Sequence, residues 1–185
     1  LTVMRDIRDN FMFSLWSELG YGKSPALFTL TESITSFVVL FLMAMIVFIR
    51  DHYRAYMLSH WIIIAGFLLS AGASILFKME LINGALWMQL IGLGLYAGYI
   101  PFNCILFERF ISAFNVRGNV GFLMYYADTF GYLGSLLIMI FKEGMRISIQ
   151  WVDFYLILVS VVSTVGILTT ILSIQFFHKK YKYST

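Results

Sequence analysis

The sequence predicts an all-α, polytopic membrane helix bundle, with five clear transmembrane helices and a partial one at the N-terminus. Two observations carry this. Of the 185 residues, 60% are hydrophobic and only 12% charged, with a mean hydropathy of +0.83, far from the balance of a water-soluble domain. A bilayer core about 30 Å thick needs roughly 20 apolar residues in a helix, and five runs of that kind stand out. They span Leu27 to Ile49, Trp61 to Phe77, Gly84 to Phe107, Asn119 to Phe141 and Val152 to Phe177. The connections between them are short, so consecutive helices run antiparallel and the chain forms a single membrane domain.

Ahead of the first run, Leu1 to Ser24 mixes Arg5, Asp6, Arg8 and Asp9 with Phe11, Met12, Phe13, Leu15 and Trp16. Arg5 and Asp9 are one helical turn apart and can pair. The segment reads either as an amphipathic helix lying in the membrane interface, the slightly favoured reading, or as the surviving part of a sixth spanning helix. Gly20, Gly22 and Pro25 then turn the chain into the first long helix. The sequence opens on Leu1 with no leader of the secretory kind, so it reads as a piece of a longer protein.

Cations in short loops orient membrane helices. Arg50 and Arg54, Arg109 and Arg117, and the tail His178, Lys179, Lys180 and Lys182 fall on one side. Lys23, Lys78 beside Glu80, and Lys142 with Glu143 and Arg146 fall on the other. The first group is richer and less offset by acids, which places the C-terminus in the cytoplasm. The net charge of +3 and pI near 9.0 form no basic face, so nucleic acid is not an expected partner. The single cysteine, Cys104, excludes an internal disulfide.

Function has to be sought in the few polar residues inside the spans, where an ionisable group costs about 2.5–3.5 kcal/mol on insertion scales and usually faces other protein or a water path. Asp128 is one. Gly121, Tyr125, Asp128, Gly131, Tyr132 and Ser135 recur at steps of three and four, a polar stripe on an otherwise apolar helix. Glu32 lies nearer the outer end of its helix with Thr29 and Ser36. Gln89, Gly92, Tyr96, Tyr99 and Asn103 share one face of the third long helix, where Gly94 and Gly98 form a small-xxx-small pair and Pro101 can kink the chain. Each stripe could instead serve close packing, with Asp128 bonded to a neighbour, although for the Asp128 stripe the functional reading is the favoured one. Glu108 and Arg109 form a helix-end or gating pair in one reading and a solvated terminus in the other. The second and fifth long helices offer only small and hydroxyl residues and so look peripheral and lipid-facing.

Enzyme signatures are missing. There is no HExxH, GxSxG or P-loop, and His52, His60 and His178 fall near helix ends without partners at metal spacing. No cofactor is implied and catalysis is not expected.

This arrangement resembles the C-terminal half of a major facilitator superfamily transporter, beginning partway through its seventh helix. The stretches Ile100, Pro101, Phe102, Asn103, then Glu108, Arg109, Phe110, and Arg117, Gly118, Asn119, Val120, Gly121, Phe122 resemble an uncharacterised bacterial branch of that superfamily. The resemblance implies a multi-pass protein of the cell (inner) membrane that works with an N-terminal six-helix half. It further implies secondary transport of a small polar solute by alternating access. Asp128 would be a coupling-ion or proton site, and Tyr125, Tyr96, Tyr99, Asn103, Gln89 and Glu32 would line the cavity. Arg5 and Arg8, if inside the seventh helix, would favour an anionic solute. The competing class is a non-transporting scaffold or receptor subunit whose stripes only hold helices together.

Overall fold

The computed structural model describes residues 1–144 and 149–184, and within them every regular element is helical. Arg146, counted above among the outer cations, lies outside the described residues, as does the side chain of Glu143. The elements are α1 (Thr2–Asn10), α2 (Met12–Glu18), α3 (Pro25–Val47), α4 (His52–Lys78), α5 (Gly84–Pro101), a π-helical turn (Phe102–Leu106), α6 (Phe107–Phe114), α7 (Val120–Gly144) and α8 (Trp151–Ser184). Five stretches are long and apolar enough to cross a membrane: α3, α4, α5 continued through α6, α7 and α8. The protein is thus membrane-embedded, and large apolar side chains such as Phe37, Phe41, Phe48, Phe122 and Phe130 point outward from it.

The helix ends follow local chemistry. Asp51 caps α4 by accepting from the Arg54 amide at 3.0 Å, and Asn83 caps α5 by accepting from the Leu86 amide at 2.8 Å, each satisfying a donor that a helix start leaves free. Asn115 closes α6 in the left-handed region at φ 48°, which Asn tolerates better than most residues. The Asp51 cap starts α4 nine residues earlier than the apolar run at Trp61 suggests. His60 is therefore not at a helix edge: it is 4% exposed and its ring bonds the Tyr56 carbonyl and the Ser173 hydroxyl, both at 3.0 Å.

Pro101 has no amide hydrogen to donate within the helix, and the chain passes directly into the π turn that carries Asn103. Helix α4, expected at the periphery, makes the most extensive packing in the molecule, on α5 and then on α8. The reason is a glycine crossing. A Cβ on Gly66 would stand 2.3 Å from the Gly94 carbonyl oxygen, and one on Gly94 would stand 2.6 Å from that of Gly66. The backbones touch, and Gly98 continues the contact against the Ile63 Cα. Small residues here mark a packing face, not a lipid face. α8 presents most of its surface outward, as expected, and α7 buries the smallest share of its apolar stretch among the five.

The N-terminal segment does not lie along the outside of the bundle. α1 and α2 form a helix broken at Phe11 (φ −113°, ψ 19°), whose Met4, Ile7, Arg8, Leu15 and Trp16 are wholly buried. Phe11 stacks on Trp151 at 3.8 Å, and Trp16 on Phe28 at 5.0 Å. Met4, Ile7, Phe11 and Leu15 recur at steps of three and four, and this apolar stripe seats the segment inside the bundle, against α5, α7 and α8, while Phe13 and Glu18 face outward.

Candidate functional site

Four ionisable residues occur within five positions of α1, and the bundle gives each a partner from another helix. α1 runs alongside α7 and antiparallel to α5, so contacts climb all three together in steps of about one turn, roughly 5.4 Å. In the first layer Asp128 of α7 accepts from the Thr2 hydroxyl at 3.0 Å and from the Asn103 amide at 3.2 Å. In the second, the Arg5 guanidinium donates to the Tyr99 hydroxyl at 2.5 Å and to the Tyr132 hydroxyl, lying over the two rings at 4.5 Å and 5.4 Å. In the third, Tyr96 donates to Asp9 at 2.8 Å, and Ser135 donates to Asp6 at 2.6 Å.

Beyond these layers Arg8, wholly buried, meets Glu32 of α3 at 2.5 Å and Asp9 at 3.7 Å. Gly92 makes room for it: a Cβ there would stand 2.8 Å from Arg8 Nη2. Gln89 closes the far end by donating to Thr35 at 3.0 Å. The close approach of α1 and α7 depends on Gly131, where a Cβ would come within 2.4 Å of the Thr2 Cβ.

Most of the residues singled out by spacing therefore meet. Asp128, Asn103, Tyr99, Tyr96, Gln89, Glu32, Arg5 and Arg8 form one polar system across α1, α3, α5 and α7. Glu32 also opens on a groove of about 470 Å³ with Thr29, Ser33 and Ser36. Tyr125 does not join: it is 78% exposed, one turn beyond the stretch of α7 that α1 covers. Glu108 and Arg109 form no pair; Glu108 is exposed and Arg109 donates to His52 Nδ1 at 3.1 Å. Arg5 and Asp9 do not pair either, because Tyr96 and Arg8 take the carboxylate.

Asp6 and Thr2 belong to the system but do not stand out in the sequence, since nothing in a single helix says which of its polar residues will face a partner. Tyr132 and Ser135 lie on the stripe read from α7, and their spacing from Asp128 was the available signal. A larger groove, about 780 Å³, lies between the start of α1 and α4, α6, α7 and α8; apart from Tyr56, the His60–Ser173 pair and nearby threonines its walls are apolar.

Among the described residues no group of His, Cys, Asp and Glu is arranged to hold a metal ion. The arrangement offers two guanidiniums and four carboxylates, Asp6, Asp9, Glu32 and Asp128, held by neutral donors or by each other, with Arg8 wholly buried, Asp9 exposed and the rest half-buried. Such groups can bind a polar solute.

In comparisons with known proteins, residues 1–180 match the model of a family of unknown function, DUF5690. No curated protein matches the chain, and no solved structure matches it.

Proposed function

We propose that this chain, which belongs to the DUF5690 family, is part of a secondary transporter that moves a small polar solute across the cell membrane by alternating access. The observation that carries the reading is the three-layer ladder by which the charged residues of α1 meet polar side chains of the apolar helices α5 and α7. An ionisable group within a membrane bundle is costly, and ordinary packing needs far fewer of them; the neighbouring α4–α5 crossing is centred on Gly66, Gly94 and Ser70. The resemblance to the C-terminal half of a major facilitator transporter supports the same conclusion. In that reading α1 and α2 are part of the seventh helix, the C-terminal tail is cytoplasmic, and an N-terminal six-helix half closes the cavity. The protein is then a carrier and not an enzyme.

Asp128 is the coupling residue in this scheme. Among the described residues its two oxygens accept from Thr2 and Asn103, neutral donors that hold the carboxyl in place without cancelling its charge. Tyr96, Tyr99 and Tyr132 supply hydroxyls that can be handed from the internal carboxylates and guanidiniums to a solute. The break at Phe11 and the π turn at Asn103 put two points of weak helical bonding beside the ladder, where a helix can bend as the halves rock.

One observation favours a scaffold instead: most of the polar groups are already bonded to one another, as in a locked packing core. Thiol labelling separates the two. Single cysteines at Tyr96, Asn103, Tyr125 and Asp128 are placed in a Cys104→Ser background of the full-length protein in membranes. Labelling that shifts from one side to the other with solute or pH is the transporter result. Uniform protection of Tyr96, Asn103 and Asp128 from both sides defeats it.

A further inference from the structure

The two arginines of α1 differ in a way that points to the chemistry of the solute. Arg8 is wholly buried and has carboxylate partners, Glu32 at 2.5 Å and Asp9 at 3.7 Å. Arg5, one turn earlier, is only half-buried and among the described residues has no carboxylate within ion-pair distance. Its hydrogen bonds go to Tyr99 and Tyr132, its Nε has no partner, and Tyr132, which borders it, is 43% exposed. Tyrosine hydroxyls and ring faces satisfy a guanidinium's directionality but do not neutralise its charge. Three carboxylates stand on the same three helices, yet each is held by other groups: Asp128 by Thr2 and Asn103, Asp9 by Tyr96 and Arg8, and Asp6 by Ser135 and Asn10.

We infer that Arg5 is the solute-binding cation of the pathway and takes an oxyanion, of the carboxylate or phosphate class, while Arg8 is a structural cation locked to Glu32. The planar guanidinium fork presents parallel donors suited to such a group, and the tyrosines on either side hold the fork in place. The ladder has two guanidiniums against four carboxylates, a formal charge of 2 − 4 = −2, so an oxyanion arriving at Arg5 is accompanied by a proton or a cation at the carboxylates. This assignment rests on the transport reading above and names the substrate class of that site.

The test is thermal unfolding of the purified full-length protein in mild detergent, with millimolar sodium acetate, succinate, phosphate or sulfate, and with glucose as the neutral control. At least one oxyanion raises the Tm of the unaltered protein, as any ligand of the folded state does, and glucose does not. Arg5→Gln removes that shift, Arg5→Lys retains part of it, and Arg8→Gln lowers the Tm itself. Tyr132→Glu gives Arg5 an internal carboxylate; this variant unfolds no lower than the unaltered protein and no longer responds to the anions, which keeps the question answerable if Arg5→Gln fails to fold.

The assignment is overturned by a flat response of the unaltered protein to all four anions, by a shift that survives Arg5→Gln or Tyr132→Glu, or by Arg5→Gln costing as much as Arg8→Gln. Two-sided thiol labelling combined with any of these results sinks the anion assignment alone, whereas closed labelling removes the transport reading with it.

Discussion

The contact between Arg8 and Glu32 gives the most direct test of how the charged helix α1 is held. Arg8 is wholly buried and the side chain of Glu32 is 32% exposed, with 2.5 Å between their nearest atoms. Removing one member of a buried ion pair costs about 3–5 kcal/mol when the other is left without compensation. Glu32→Leu strands the buried guanidinium, but Asp9 at 3.7 Å and the Tyr96 ring at 5.7 Å take up part of the charge. A cost of about 2–3 kcal/mol follows, near the range of a hydrogen bond to a charged group. Arg8→Met leaves the carboxylate instead, which can turn toward the groove beside Ser33 and Ser36; its cost is smaller, about 1–2 kcal/mol by the same scale. The double variant loses less than the sum of the two, with a coupling of about 1–3 kcal/mol. Unfolding in mild detergent, run as a double-mutant cycle, measures all three. A Glu32→Leu protein within about 0.5 kcal/mol of the parent, or a cycle with no coupling, would refute the argument that this pair anchors α1.

Other perturbations reach different joints. Gly66→Ala places a Cβ against the backbone carbonyl of Gly94, which cannot yield as a side chain could, so unfolding should be easier by about 1–3 kcal/mol or more; parent-like stability would show that the crossing is looser than described. Gly92→Ala presses on Arg8 Nη2, so it should destabilise the parent protein and have little effect in an Arg8→Met background, a dependence that thermal melts of the four proteins would read. Glu18 accepts from the Trp151 and Val152 amides at 2.9 Å and 2.8 Å, tying the end of α2 to the start of α8; Glu18→Ala should cost about 1–2 kcal/mol and raise hydrogen exchange in the first turn of α8. Asp128→Asn keeps the shape of its site, so the transport reading expects solute movement in proteoliposomes to stop while the melting temperature changes little.

The spans were legible because a run of about twenty apolar residues is a property of composition, independent of how helices pack. What the sequence could not carry was which neighbour each face would meet. Gly66, Ser70 and Ser74 carry no charge, so α4 read as lipid-facing; they are small because a second backbone lies against them. The polar start of α4, from His52 to His60, read as a loop, yet a capping aspartate extends the helix through it. On α5 the three- and four-residue steps were a sound guide, since Tyr96, Tyr99 and Asn103 each reach a partner. On α7 the same steps also included Tyr125, and only the position of α1 decides that Asp128, Tyr132 and Ser135 find partners on it while Tyr125 is open. The expected Arg5–Asp9 pair had the right spacing on one helix, but partners on α5 and α7, Tyr99 and Tyr132 for Arg5 and Tyr96 for Asp9, hold the two side chains apart.

The way α7 is attached suggests why the charges concentrate on α1. Among the described elements, α7 packs chiefly on α1 and, more lightly, on α6, whereas α3, α4, α5 and α8 form a block joined by extensive contacts. α1 therefore bridges two parts of the bundle: Arg8 and Asp9 bind it to α3 and α5, and Thr2 and Asp6 bind it to α7. Arg5 touches both sides, through Tyr99 and Tyr132. A solute that draws Arg5 away from either tyrosine changes the balance between α7 and the block without disturbing the Gly66–Gly94 crossing. Placing the ionisable groups on this one helix makes the helix–helix joint most sensitive to charge the same joint that a polar solute can reach.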